Sequence, residues 1–144
     1  MLNILVVCVG NICRSPLGEA FMARDLPQAK VWSAGLGALV GAPADPLSVE
    51  VGAAHGLDLS AHRAQQITGW MCQAAELILV MEQRHKTDLE QRYPLVRGKL
   101  FRLGDRGGFD IVDPYRQPKA AFETACADIA RGAADWVARI RQIA

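Results

Sequence analysis

Short, mostly apolar runs recur along the chain, separated by segments whose apolar residues have helical spacing. Four of the runs predict buried strands: residues 2–7 (LNILVV), 30–33 (KVWS), 77–81 (LILVM) and 99–103 (KLFRL). Runs of this length that do not alternate with polar residues are typical of strands covered on both faces, as in a parallel sheet.

Helices are predicted between these strands. One begins at Pro16, because proline is favoured in the first turn of a helix. Another covers residues 47–55, with Asp45 as its N-cap, Pro46 at the first helical position and Gly56 at its end.

Two further helices are predicted in the second half of the chain. Residues 82–93 form a polar helix that ends before Pro94, and residues 118–143 form a long one. In the long helix, large apolar residues recur every seven positions: Phe122, Ile129, Trp136 and Ile143. A coiled-coil seam and a helix packed on a sheet both fit this spacing. The packed helix is favoured, because the run is short for a coiled coil and lacks regular flanking charges.

The order of the elements predicts an α/β fold: a three-layer α/β/α arrangement around a central four-stranded parallel sheet. A length of 144 residues suggests one domain, residues 1–144. Ligands in such sheets bind beyond the carboxyl ends of the strands. The loops at 8–15 and 104–117 both follow strands, so we expect both at that edge.

Composition excludes several classes of protein. The chain has 16 Lys and Arg against 15 Asp and Glu, a net charge of +1, which argues against a dedicated nucleic-acid binder. No apolar run reaches the ~18 residues that span a bilayer. The first residues carry no basic leader, so we expect a cytoplasmic protein without a stable membrane insertion.

The four cysteines, at 8, 13, 72 and 126, are therefore expected to be reduced thiols. None forms a C-x-x-C pair or has zinc-finger spacing, so we expect no metal site and no cofactor. Cys72 and Cys126 are interpreted as helix or core residues. His55 and His85 are interpreted as solvated helix residues rather than ligands.

The loop Cys8-Val9-Gly10-Asn11-Ile12-Cys13-Arg14-Ser15 carries the candidate chemistry. Backbone N–H groups that precede a helix N-terminus can converge on an anion, and Gly10 would permit a conformation or close approach that a side chain would block. Arg14 adds a planar fork of donors suited to phosphate oxygens. These surroundings favour a Cys8 thiolate, and Ser15 could donate a hydrogen bond to it. Cys8 alone could be a buried core residue, and Arg14 alone could be a solvated helix residue. Packing and solvation do not explain why both flank one loop between a buried strand and a helix.

The spacing C-x5-R-S is the signature of protein tyrosine phosphatases. Its position at the start of the chain, together with Ser33-Ala34-Gly35, Ser60-Ala61-His62-Arg63 and Asp113-Pro114-Tyr115, resembles the low-molecular-weight protein tyrosine phosphatases over essentially the whole chain. Ser33–Gly41 with the Arg116 that follows Tyr115 resembles the bacterial capsule and exopolysaccharide branch, the Wzb type.

The resemblance implies a mechanism. Cys8 would attack phosphorus to form a cysteinyl-phosphate, Arg14 and the loop amides would hold the phosphate oxygens, and Asp113 would be the general acid that then activates water. Without the resemblance, Asp105 and Asp110 compete with Asp113. The implied phosphate-binding set is Val9, Gly10, Asn11, Ile12, Cys13, Arg14 and Ser15.

The resemblance also assigns supporting and rim residues. Asn11, Ser15, Ser33 and His62 would hold the loop in shape; Ile12, Leu39 and Tyr115 would line the substrate pocket. Cys13 would trap an oxidised Cys8 as a disulfide, or is only a small packing residue. The implied partner is a phosphotyrosine protein, the C-terminal tail of a bacterial tyrosine kinase that controls exopolysaccharide or capsule production.

Three alternatives remain open at this point. A protein-arginine phosphatase on the same scaffold is disfavoured, because those relatives carry threonine where this chain has Ile12. An arsenate reductase would need two further cysteines close together, and Cys72 and Cys126 are far apart in sequence. A non-catalytic phosphotyrosine-binding module is disfavoured by the presence of Cys8, Arg14 and Asp113 together.

Overall fold

The predicted strands form one parallel sheet. The computed structural model, which describes residues 2–143, has β1 (Asn3–Cys8), β2 (Lys30–Gly35), β3 (Leu77–Val80) and β4 (Leu100–Arg102) in the order β2-β1-β3-β4. All three pairings are parallel, and Cys8 at the end of β1 pairs with Gly35 at the end of β2. The prediction of a four-stranded parallel sheet is confirmed.

Helices cover both faces of the sheet. Ile4 and Val6 of β1 point into a core shared with α1 (Arg14–Asp25), α2 (Pro46–Ala54) and α5 (Lys119–Ile143). Leu5 and Val7 point into a second core on the opposite face, shared with α3 (Gly69–Ala74), α4 (Gln83–Arg92) and a short 3-10 helix (Pro94–Val96). Burial on both faces explains why β1 contains apolar residues without alternation. The three-layer α/β/α arrangement is confirmed.

The predicted start of α2 is confirmed by its cap. The side chain of Asp45 accepts a hydrogen bond from the N–H of Leu47 at 2.9 Å, and Pro46 is the first helical residue. Gly56, two residues after the end of α2, has a left-handed φ of 78°.

Two helix predictions need correction. α1 begins at Arg14, two residues before Pro16, so its first turn is part of the loop after β1. α3 was missed: it has only six residues, too few to display an apolar period, and its clearest signal is the cap that Thr68 provides to Met71.

The long C-terminal helix packs against α1 and α2, as the packed-helix interpretation predicts. Phe122, Ile129 and Trp136 are buried, but Ile143 is 83% exposed, so the seven-residue repeat of buried positions ends before the last turn. Within residues 2–143, no helix combines the length and the apolar character needed to cross a bilayer.

Candidate active site

The loop between β1 and α1 turns its carbonyl groups outward. Every carbonyl from Cys8 to Cys13 accepts a hydrogen bond of 2.6–3.1 Å from outside the loop. The donors are the N–H groups of Leu36, Gly37, Leu39 and Asp45 and the side chains of His62 and Ser48. Within the described residues, the N–H groups of Gly10 to Cys13 donate to no protein acceptor. The loop therefore presents unpaired N–H donors toward its centre, the arrangement of an anion-binding nest.

Asn11, rather than Gly10, is the residue with the unusual backbone. Asn11 has a φ of 60°. A Cβ added at Gly10 would fit without a clash, because its nearest neighbour, a side-chain atom of Ile12, would lie 3.7 Å away. The left-handed conformation of the loop therefore lies at Asn11. Asparagine tolerates the left-handed region better than most residues, and the buried side chain of Asn11 is held by three hydrogen bonds.

Those hydrogen bonds connect the loop to the rest of the sheet edge. The Asn11 amide nitrogen donates to Ser15 Oγ at 2.7 Å and to Ser33 Oγ at 3.0 Å, and its oxygen accepts from the N–H of Gln65 at 2.9 Å. Ser33 in turn donates to Glu19 Oε1 at 2.6 Å. Gln65 and Glu19 were not predicted as supporting residues, because neither belongs to a local pattern that marks it.

His62 also holds the loop. Its Nε2 lies 2.6 Å from the carbonyl oxygen of Asn11. Because a carbonyl oxygen only accepts, Nε2 must carry the proton, which fixes the tautomer of the neutral ring. The structure thus brings together all four residues predicted to support the loop: Asn11, Ser15, Ser33 and His62.

Ser15 contacts the candidate nucleophile directly. Its Oγ lies 3.0 Å from Cys8 Sγ, and both side chains are buried. Either atom of this pair can donate while Cys8 is a thiol, but a thiolate only accepts, so Ser15 must donate its proton once Cys8 is ionised. A hydroxyl donor stabilises a thiolate more than a thiol, because hydrogen bonds to charged groups are the stronger ones.

Arg14 is held in place by groups from two other elements. It is almost fully buried, and its Nη1 donates to Glu82 Oε2 at 2.6 Å and to the carbonyl oxygen of Ile111 at 2.7 Å. The other guanidinium nitrogens are left for a ligand. Burial acts to raise the pKa of Glu82, but hydrogen bonds from Arg14 and Arg84 outweigh it, so the net pKa is lowered and Glu82 remains a carboxylate.

Asp113 is the one of the three competing aspartates that lines the pocket with Cys8. Its Oδ1 accepts a hydrogen bond from the N–H of Tyr115 at 3.0 Å, and its Oδ2 lies 3.8 Å from Arg14 Nη2. Asp110 instead binds Arg102 and the N–H of Gln83. The turn thus holds the Asp113 carboxylate at the mouth of the pocket, where it remains 42% exposed.

The pocket has a volume of about 300 Å³. Cys8, Arg14 and the loop form its floor, and the predicted rim residues Ile12, Leu39 and Tyr115 also line it. Arg116 also lies at the rim. Its backbone has a left-handed φ of 63°, and its guanidinium lies 5.2 Å from the centre of the Tyr115 ring. The walls are thus largely apolar, with one exposed cation.

The remaining cysteines and histidines have structural surroundings. Cys72 and Cys126 are fully buried in the cores on opposite faces of the sheet, and burial raises the pKa of Cys126 to about 11. Burial, reinforced by Asp45, raises the pKa of Cys13. The interpretation of His85 as solvated is wrong: it is only 3% exposed, because it packs behind Glu82 at the carboxyl end of β3.

Comparison with known proteins agrees with this geometry. The sequence model of the family "Low molecular weight phosphotyrosine protein phosphatase" matches residues 3–143. The chain belongs to this family of enzymes. It is 54% identical over 141 residues to "Probable low molecular weight protein-tyrosine-phosphatase EpsP" of Ralstonia nicotianae, covering 98% of this chain and 97% of that protein.

Solved structures of known proteins have the same fold as this phosphatase. The structure of Vibrio vulnificus Wzb in complex with benzylphosphonate superposes with a TM-score of 0.93 at 45% identity, covering 96% of this chain and 98% of that one. The YwlE arginine phosphatase of Geobacillus stearothermophilus superposes with a TM-score of 0.92 at 29% identity, covering 99% and 94%. The scaffold therefore occurs with both phosphatase chemistries.

Proposed function

We propose that the phosphatase hydrolyses phosphotyrosine in proteins through a cysteinyl-phosphate on Cys8, with Arg14 binding the phosphate and Asp113 as acid and base. The observation that carries this assignment is the pocket in which Cys8, Arg14 and Asp113 meet beneath an apolar rim. Unpaired loop amides complete the site for a phosphate dianion.

In the first step, the Cys8 thiolate attacks phosphorus while the phosphorus–oxygen bond to the phenol breaks. Protonated Asp113 donates its proton to the leaving oxygen, so a neutral phenol departs. The loop N–H groups and the two free nitrogens of Arg14 bind the three equatorial oxygens as charge shifts onto them.

In the second step, the Asp113 carboxylate accepts a proton from water as the water oxygen attacks phosphorus. The phosphorus–sulfur bond breaks, and inorganic phosphate leaves with the site restored. The hydroxyl of Ser15, 3.0 Å from Cys8 Sγ, would stabilise the departing thiolate.

The rim supports an aromatic substrate. Ile12, Leu39 and Tyr115 offer apolar surface to a phenyl ring, and the related Wzb of Vibrio vulnificus has been solved with benzylphosphonate. We propose as physiological substrate the phosphorylated C-terminal tail of a bacterial tyrosine kinase in the cytoplasm, one that controls exopolysaccharide or capsule production. The high identity to EpsP supports this branch of the family.

Neither alternative chemistry has comparable support. Ile12 offers an apolar surface where a polar substrate such as phosphoarginine would need hydrogen-bonding groups. Arsenate reduction would need a cysteine relay, but Cys72 and Cys126 lie on opposite faces of the sheet.

The deciding experiment compares p-nitrophenyl phosphate, a phosphotyrosyl peptide from a kinase tail and phosphoarginine as substrates. We expect rapid hydrolysis of the first two by the wild type, and none by Cys8→Ser. Trapping of labelled phosphate on the wild type, and its absence on Cys8→Ser, would identify the intermediate. Faster hydrolysis of phosphoarginine than of the phosphotyrosyl peptide would overturn the assignment.

A further inference from the structure

His85 is a buried ionisable group that the mechanism above does not use. Within the described residues, neither ring nitrogen has a hydrogen-bond partner, although the side chain is almost fully buried. Buried polar atoms are nearly always paired, so such a ring calls for an explanation. Its Nε2 lies 3.3 Å from Glu82 Oε2, close enough for an ionic contact but not aligned as a hydrogen bond.

The same oxygen holds the phosphate-binding arginine. Glu82 Oε2 accepts from Arg14 Nη1 at 2.6 Å, so His85 and Arg14 share one carboxylate oxygen. Neutral His85 leaves this oxygen to Arg14. A protonated ring would bring a second cation to the carboxylate. The single negative charge of Glu82 would then neutralise less of the charge of Arg14.

The charges around His85 belong to three segments. Its neighbours on or beside α4 are Glu82, Arg84, Asp88 and Arg92, while Arg14 faces it from α1 and Asp110 from the loop after β4. Burial lowers the pKa of His85, the charge of Arg14 lowers it further, and Glu82 opposes both. His85 is therefore neutral at pH 7 and takes up a proton only in more acidic solution.

We propose that His85 is a positioning residue that controls, through Glu82, how much of the Arg14 charge is available to a bound phosphate. When His85 binds a proton, Glu82 is shared with the imidazolium, and Arg14 attracts the dianion more strongly. By linkage, a bound dianion favours protonation of His85 to the same extent. The inference rests on the anion site proposed above.

Sulfate is the probe for the test, because it stays a dianion from pH 4.5 to 8, so changes in its affinity come from the protein. The full chain carries Cys8→Ser and Asp113→Asn, which replace the two reacting groups by side chains that do not ionise. Calorimetry then gives the dissociation constant of sulfate across this pH range, with and without His85→Gln. His55→Gln is the matched control, since His55 lies outside the pocket.

We expect the affinity for sulfate to rise with acidification about five-fold more in the parent than in His85→Gln, and His55→Gln to follow the parent. Equal pH profiles in the parent and His85→Gln would overturn the proposal while leaving the anion site intact. No sulfate binding by the parent would overturn both.

An independent measurement covers the case in which His85→Gln does not fold. The NMR titration of the His85 ring in the parent should give a higher pKa with saturating sulfate than without it. An unchanged or lower pKa of His85 would contradict the linkage directly.

Discussion

Ser15 Oγ lies 3.0 Å from Cys8 Sγ and also accepts a hydrogen bond from Asn11, so it can donate its own proton to a Cys8 thiolate while Asn11 holds it in place. The loop thus supplies the thiolate with a hydrogen bond from a hydroxyl that a third residue holds in place. This contact has a consequence for the second chemical step, in which Cys8 is the leaving group.

Ser15→Ala should slow turnover by about 10- to 100-fold, the effect of losing one hydrogen bond to a charged group. Breakdown of the cysteinyl-phosphate should be slowed more than its formation, so a burst of p-nitrophenol should appear in rapid-mixing experiments. Ser60→Ala, on the surface away from the pocket, is the control. A wild-type turnover rate in Ser15→Ala would contradict the role of this contact.

Asp113→Asn should lower kcat by about 10²- to 10⁴-fold, the usual contribution of a general acid. An asparagine retains the oxygen that accepts from the N–H of Tyr115, so the turn and the binding of phosphate should persist. Asp105→Asn, on the same loop but outside the pocket, should leave kcat unchanged. A general acid matters less when the leaving group is good. An equal fall in kcat on substrates with good and with poor leaving groups would therefore argue against proton donation by Asp113.

Gly35→Ala should destabilise the fold and displace the loop. A Cβ at Gly35 would lie 2.4 Å from the carbonyl oxygen of Val9, and backbone must move to relieve that contact. We expect a loss of about 1–3 kcal/mol in the free energy of unfolding, measured by urea denaturation, together with weaker phosphate binding. Gly37→Ala is the stability control, because a Cβ there meets no atom within 4 Å.

Arg116→Gly should change stability and recognition in opposite directions. Its φ of 63° is strained for arginine but not for glycine, so the free energy of unfolding should rise by up to about 1 kcal/mol. Loss of the exposed guanidinium at the rim should raise KM for phosphotyrosyl peptides with acidic neighbours more than for neutral peptides. Equal KM changes for both peptides would show that the charge of Arg116 is not used in recognition.

Stability should decline in alkaline solution through the buried thiols. The pKa of Cys126 is about 11 in the folded chain against an ordinary value of 9.0, so between these values the unfolded state loses the proton first and is favoured. Each pH unit in this window should lower the free energy of unfolding by up to about 1.4 kcal/mol. Cys126→Ala should flatten this part of the profile, whereas an unchanged slope would assign it to other groups.

The four strands and the start of α2 were predictable because the sequence signals for them lie within the elements themselves. Continuous apolar runs predicted the four strands, and Asp45 with Pro46 predicted the start of α2. The short α3 escaped because six residues cannot display a period. The left-handed conformation of Asn11 was not predicted, since its hydrogen-bond partners Ser33 and Gln65 lie far along the chain.

The residues behind the site were harder to predict than those within it. Cys8 and Arg14 lie in one loop with a recognisable spacing, whereas Glu82 is an isolated acidic residue. Its place at the carboxyl end of β3, the edge where ligands bind in parallel sheets, is the signal that would have singled it out. The burial of His85 had no such signal. Most residues of α4 are polar, so its sequence predicts a helix exposed to solvent.

The outward orientation of the loop carbonyls also determines which ions the site rejects. A cation entering the ring of N–H groups would meet the positive ends of peptide dipoles. The loop carbonyl oxygens that could coordinate it are already bound to Leu36, Gly37, Leu39, Asp45, His62 and Ser48. Discrimination by sign of charge is therefore in part a property of the main chain. It should survive side-chain substitutions that abolish turnover, so that inactive variants remain selective anion receptors.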